Sequence, residues 1–62
     1  MKEKLMLKLE NMYLRTDDKL HILESALEME PNDQNIIMMN IWMEYMLADI
    51  GRAMEIARQI IS

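Results

Sequence analysis

The sequence predicts an all-α protein, and three observations support this fold class. The 62 residues include one Gly, one Pro and no Phe, while hydrophobic residues make up 52% of the chain and charged residues 29%. Leu, Met, Glu, Lys, Arg and Ala dominate, and these residues favour helices over strands. Apolar residues recur at spacings of three and four, which is the periodicity of amphipathic helices.

The first half of the chain is predicted to form two helices. The first runs from Lys2 to Leu14, and its apolar stripe consists of Leu5, Met6, Leu9, Met12 and Tyr13. Thr16 offers an N-cap hydroxyl, and the two acidic residues that follow it suit the first turn of a helix. We therefore expect a second helix from Thr16 to about Glu30, with Leu20, Leu23 and Leu27 on its apolar face.

The second half of the chain is predicted to form two further helices. Pro31 disfavours helical geometry at Glu30, and Asn32 or Asp33 can cap a helix that follows, so this is the strongest break in the sequence. The apolar positions of the third helix are Ile36, Ile37, Met39, Met43, Met46 and Leu47. A weaker break is expected at residues 49–51, which end in the only Gly, and a fourth helix follows to the end of the chain.

The two halves resemble each other at a separation of 34 residues, as the pairs Leu20/Met54 and Ile22/Ile56 illustrate. Residues 26–33, with the sequence ALEMEPND, are similar to the end of a tetratricopeptide repeat, and Ala53 stands where that family has a small residue early in its second helix. The resemblance implies two repeats, residues 1–31 and 32–62, and hence a single domain of four helices in two antiparallel hairpins.

An alternative interpretation ignores the weak break at residues 49–51. A heptad stripe with one polar member then runs through Ile36, Asn40, Met43, Leu47, Ile50, Met54, Ala57 and Ile61. The first half nearly continues it through Leu5, Leu9, Met12, Leu20, Leu23 and Leu27, with an interruption around Thr16. This pattern predicts a two-helix hairpin that dimerises into a four-helix bundle, with Asn40 setting the register.

Catalytic and metal-binding chemistry is not predicted. The chain has no Cys and a single His, so His21 has few partners for catalysis or metal binding and is expected to be an exposed or edge residue. Met39, Met43 and Met46 fall on one helical face, where thioethers could hold Cu(I), but a methionine stripe at helical spacing is more typical of a core or an interface. We therefore expect no enzyme activity, no metal and no cofactor.

Charge and hydropathy exclude two classes of partner. Eleven acidic residues against seven Lys and Arg give a net charge of −4, whereas nucleic-acid binding requires clustered cations. Charges interrupt the N-terminal residues every few positions, and no long uncharged apolar run follows, so neither a signal peptide nor a membrane span is predicted. A cytoplasmic protein is expected.

The predicted function is that of a protein-interaction module, because 62 residues with no disulfide cannot hide so much apolar surface. The tetratricopeptide resemblance implies a groove lined by first helices, which makes Met38, Trp42, Tyr45 and Met46 the candidates for binding a protein or peptide. The apolar end of the chain suggests self-association into a dimer through Ile56, Ile60 and Ile61. A purely structural homodimer, natural or designed, without a further ligand, is the alternative.

Overall fold

The chain folds into one antiparallel helical hairpin. The structure is a computed structural model that describes the backbone of residues 2–61 and the side chains of residues 3–60. It consists of α1 (Lys2–Met29) and α2 (Gln34–Ile61), each 28 residues long, and the two helices pack along their length. The hairpin measures 45 × 14 × 12 Å. The all-α class predicted from the sequence is confirmed.

The prediction of four helices is wrong, because neither internal break interrupts a helix. Thr16, expected to cap a second helix, lies inside α1 and is only 7% exposed; Ile50, in the weak break, is also 7% exposed. Both residues are buried by the hairpin, and tertiary packing of this kind outweighs local capping and glycine signals. Each predicted repeat is therefore one continuous helix, and the hairpin topology is that of the alternative interpretation.

The strong break at Pro31 is confirmed, since α1 ends two residues before it and α2 begins three residues after it. The backbone N–H of Glu30 donates to the carbonyl of Ala26 at 2.9 Å, which completes the last turn of α1. The Asp33 carboxylate oxygen Oδ1 then accepts hydrogen bonds from the backbone N–H groups of Asn35 at 2.9 Å and Ile36 at 3.2 Å. Asp33 is thus the N-cap of α2, one of the two residues predicted for this role.

A heptad seam joins the two helices. The seam residues of α2 are Ile36, Asn40, Met43, Leu47, Ile50, Met54 and Ala57, all buried or half-buried, which is the stripe predicted by the alternative interpretation as far as the side chains are described. In α1 the stripe differs from the prediction. Met6 and Tyr13 lie in the seam, whereas Leu5 and Met12 remain half exposed. Thr16 fills the position between Tyr13 and Leu20 and does not interrupt the pattern.

The seam gives a thin core. Among the described residues the buried apolar side chains are those of Leu20, Ile50 and Ala57, and no large side chain is fully buried. Two helices in contact can cover only one stripe of each other, so the remaining apolar residues face outward. The hairpin therefore buries much less of its apolar surface than a compact domain does.

Replacing Gly51 with Ala is expected to stabilise the hairpin. A Cβ atom at residue 51 would lie 3.8 Å from the Cε2 atom of Tyr13, an ordinary van der Waals distance, and the glycine has no positive φ. Because Gly costs about 1 kcal/mol relative to Ala inside a helix, Gly51→Ala should raise the free energy of unfolding by about that amount. Urea denaturation followed by circular dichroism measures the change, and a loss of stability would contradict the close but unstrained packing at this position.

Replacing Asn40 with Leu is also expected to stabilise the fold. Asn40 is 9% exposed, and its Nδ2 atom is buried without a hydrogen-bond partner. A buried donor left unsatisfied costs about 1–3 kcal/mol, and the four-residue linker already fixes the register of the hairpin. The free energy of unfolding of Asn40→Leu should therefore exceed that of the wild type. The control variant Asn40→Asp buries a charge at the same position and should lower the free energy of unfolding.

Candidate protein-association surface

The antiparallel seam divides the rest of the hairpin surface into two sides. In heptad notation the a positions of the seam include Tyr13 and Leu47, and the d positions include Leu9 and Ile50. On the surface of each helix, the e row lies on one flank of the a and d residues and the g row lies on the other. In an antiparallel pair the g rows of both helices lie on one side and the e rows on the other. The structure shows both sides as shallow grooves: one is lined by Lys19, Ile22, Leu23, Met39 and Met43, the other by Tyr13, Gly51, Met54, Glu55 and Arg58.

The g rows form a surface that we call the apolar side. It consists of Leu5, Met12, Lys19 and Ala26 from α1 and of Met39, Met46, Ala53 and Ile60 from α2. Seven of these eight residues are apolar, and the large ones are between 46% and 70% exposed. The two helices thus present an apolar strip on the same side of the hairpin, interrupted in α1 by the charged residue Lys19.

The e rows form the opposite surface, which we call the acidic side. It consists of Glu3, Glu10, Asp17 and Glu24 from α1 and of Ile37, Glu44, Gly51 and Arg58 from α2. Every e position of α1 carries an acid. Placing an apolar helix against this row would desolvate four carboxylates, which is costly. The acidic side is therefore suited to water, and the contrast leaves the apolar side as the candidate for contact.

The c positions border the apolar side. They are Lys8, Arg15, Ile22 and Met29 in α1 and Asn35, Trp42, Asp49 and Ile56 in α2. Trp42 is 65% exposed and lines a groove with Met38, Met39 and Met43 on this flank of α2. A rim of mixed charges around an apolar centre with one aromatic residue is the usual anatomy of a protein interface.

The four residues predicted to bind a partner are all exposed and lie in three adjacent rows of α2. Met38 and Trp42 line the groove that borders the apolar side, and Met46 belongs to the g row. Tyr45 lines a different groove with Ile41, Glu44 and Ala48. It is at an f position, like Met38, one row further from the seam than Trp42.

Two of the residues predicted for self-association lie at the apolar side. Ile60 is in its g row and Ile56 on its border, and both are exposed. The side chain of Ile61 lies outside the described residues. The sequence reasoning missed Leu5, Met12 and Met39 as surface residues of one strip, although their spacing of seven within each helix is the signal that could have found them.

His21 is exposed, as expected, and lies away from the apolar side. Its Nδ1 atom donates a hydrogen bond to the backbone carbonyl of Asp17 at 2.8 Å and lies 3.7 Å from the Asp17 carboxylate. The hydrogen bond to the carbonyl, and then the charge of the carboxylate, raise the pKa of His21 above its usual value, with smaller contributions from Glu24 and Asp18. No group of three or more His, Asp and Glu residues suited to a metal ion occurs within the described part of the chain.

The raised pKa of His21 is expected to be visible in a proton NMR titration of its imidazole. Asp17→Asn removes the carboxylate charge but keeps the carbonyl acceptor, so the pKa should fall only part of the way to the ordinary value of about 6.5. Because the folded-state pKa is the higher one, the contribution of His21 to stability is present below the unfolded-state pKa and is lost as the pH rises through the folded-state pKa. An unchanged pKa in the variant would show that the carboxylate has no influence.

Comparisons with known proteins do not assign the chain to a family: no family model, curated protein or solved structure matches it. Neither helix, over the residues described, has the length and hydropathy needed to cross a membrane. The physical properties of the apolar side are therefore the basis for assigning a function.

Proposed function

We propose that this chain is a protein-association module whose apolar side packs against an apolar helical surface of another polypeptide. One observation carries the proposal: the g rows of both helices are apolar on the same side of the hairpin, except at Lys19, while the opposite side carries an unbroken row of acids in α1. The contact surface is a side of a two-helix hairpin and not a concave groove lined by repeats.

The width of the apolar stripe supports this proposal. A helix that contacts only one neighbour needs apolar residues at a and d, whereas a helix in the core of a bundle also needs them at e or g. Both α1 and α2 have the wider pattern, since Met12 in one and Met46 in the other extend the seam in the same direction. The sequence thus provides for helical neighbours that the single hairpin lacks.

The residue types on the apolar side suit such a contact. Met39 and Met46 have flexible, polarisable side chains that adapt to an apolar partner. Trp42 at the border can supply a large contact area at a small cost in conformational entropy, which is why Trp is enriched among the residues that dominate binding energies. A protein or peptide partner follows from this chemistry, and the net charge of −4 argues against a nucleic acid. We place the module in the cytoplasm.

A second candidate function, a purely structural homodimer without a further ligand, is favoured by the thin core. With three buried apolar side chains among the described residues, the hairpin has little internal stabilisation, and a small domain of this kind is usually completed by a staple or by oligomerisation. Here association would serve to finish folding. Both candidates use the apolar side, and they differ in what occupies it.

Side-selective cross-linking tests the association proposal. A photoreactive amino acid is placed at Met46, on the apolar side, or at Ile41, on the same helix at a b position; the two side chains have similar exposure, 46% and 42%. The purified chain is irradiated alone and with a synthetic peptide of residues 34–61, which has the sequence of α2. Covalent adducts should form from residue 46 in several-fold higher yield than from residue 41.

The matched substitutions Met46→Lys and Ile41→Lys complete this test. Because burying a large apolar side chain contributes about 1.5–3 kcal/mol, Met46→Lys should weaken association at least about tenfold, while Ile41→Lys should have little effect. Circular dichroism should show that both variants remain helical, since neither residue belongs to the seam. A loss of helicity in Met46→Lys alone would instead favour the second candidate, in which association completes folding. Equal adduct yields from the two positions, or no adduct with either the chain or the peptide, would refute the proposal.

A further inference from the structure

We infer that the occupant of the apolar side is a second copy of this chain, stacked about a two-fold axis parallel to the helices so that both linkers lie at the same end of a four-helix bundle. This inference rests on the proposed function and adds to it the identity of the partner and the orientation of the two copies. Three properties of the hairpin support this inference. They are its exposed surface area, the charges that border the apolar side, and the positions of these border residues along the helix axis.

The hairpin exposes more surface than a compact chain of its mass. Its accessible surface is 5282 Å² for 7.4 kDa. A compact monomer of this mass is expected to expose about 4,200 Å², so the excess is about 1,100 Å². A stable protein interface removes about 800 Å² from each partner. The area available on one hairpin is therefore sufficient for a specific dimer.

A second copy can stack on the apolar side in two symmetric ways. If the two-fold axis is parallel to the helices, α1 of one copy lies on α2 of the other and both linkers are at one end. If the axis is perpendicular to the helices, α1 lies on α1, α2 lies on α2 and the linkers are at opposite ends. The charges at the border of the apolar side distinguish these arrangements.

The antiparallel packing of the hairpin fixes which border residues of α1 and α2 lie at the same level, that is, at the same height along the helix axis. Gly51 lies beside Tyr13, and the helices are antiparallel, so Arg15 lies level with Asp49. Both residues are exposed c positions near the middle of their helices, and neither makes an ion pair within the described part of the chain. They border the apolar side at its two opposite edges.

The parallel axis brings unlike charges together, and the perpendicular axis brings like charges together. With the parallel axis, Arg15 of each copy faces Asp49 of the other, and by the same count of residues Ile22 faces Trp42. With the perpendicular axis, Arg15 faces its own symmetry mate near the centre, and so does Asp49. Opposing like charges disfavour an arrangement, whereas complementary ones select it. At the level of Trp42 both arrangements place apolar residues together, Ile22 in the parallel one and Ile56 in the perpendicular one, so the charges distinguish the two.

A different protein would have to reproduce this pattern by itself, whereas the hairpin already carries both halves of it. At its two central levels the edges are complementary, Arg15 with Asp49 in charge and Ile22 with Trp42 in apolar character. At the two outer levels, Lys8 with Ile56 and Met29 with Asn35, a polar residue lies opposite an apolar one. A two-fold interface requires a surface of this self-complementary kind. The second copy is therefore the occupant that the structure favours.

The first experiment measures mass and orientation. Sedimentation equilibrium of the full chain should give twice the mass of 7.4 kDa at micromolar concentrations. The chain has no Cys, so Asn32→Cys in the linker gives one spin label per copy. The distance between the two labels should be short for linkers at one end. It would approach the 45 Å length of the hairpin if they were at opposite ends.

The second experiment tests the charge pair at low ionic strength, where exposed charges are least screened. Arg15→Glu and Asp49→Arg each place like charges opposite one another at two symmetric sites, and each should weaken dimerisation roughly tenfold. The double variant restores both pairs and should dimerise like the wild type. Helicity should be unchanged in all three, because both residues are on the surface. The control Lys4→Glu changes the charge at an f position, away from the apolar side, and should leave dimerisation unaffected.

These measurements separate the inference from the proposed function. A monomeric mass, combined with peptide adducts from residue 46, would overturn the second copy as occupant and leave the association module intact. A dimer whose linkers lie far apart, or in which Arg15→Glu has no effect, would overturn the parallel arrangement. A monomer with no adducts from either position would overturn both proposals together.

Discussion

The heptad seam between α1 and α2 is the interaction on which the rest of the structure depends. It runs the length of both helices and keeps each of them continuous, burying Thr16 and Ile50 at the positions where local signals favour an interruption. A helix of 28 residues gains little stability from its own propensities compared with packing along one face. Once the seam is formed, every other position is assigned to a side of the hairpin.

This assignment creates the functional asymmetry of the molecule. The g and e rows are adjacent to the same seam, yet one is apolar and the other carries the acids of α1. In a monomer with no partner, both rows would be expected to be polar, because both rows would be exposed to water. The asymmetry is a cost for an isolated hairpin and an advantage for a bundle, which is the physical reason for proposing association.

The same seam explains why the core is thin. Two helices cover one stripe of each other, so residues such as Met39 and Ile60 remain outside even though they are as apolar as the seam residues. The buried Asn40 weakens the core further, since its Nδ2 atom is unsatisfied in a site that an aliphatic residue would fill. Stability and association are therefore linked: covering the apolar side would supply burial that the hairpin cannot supply alone.

The sequence by itself determined the helical class, the break at Pro31 and a cap at Asn32 or Asp33, because these depend on composition and backbone chemistry. It also indicated the seam of α2 as one of two interpretations, because that periodicity is confined to one element. The tertiary structure decided the continuity of each helix and the place of Met6 and Tyr13 in the seam. Thr16 followed by Asp17 has the same local pattern whether it caps a helix or lies inside one. Only contact with the opposing helix favours one of these outcomes, and that contact is absent from any local pattern.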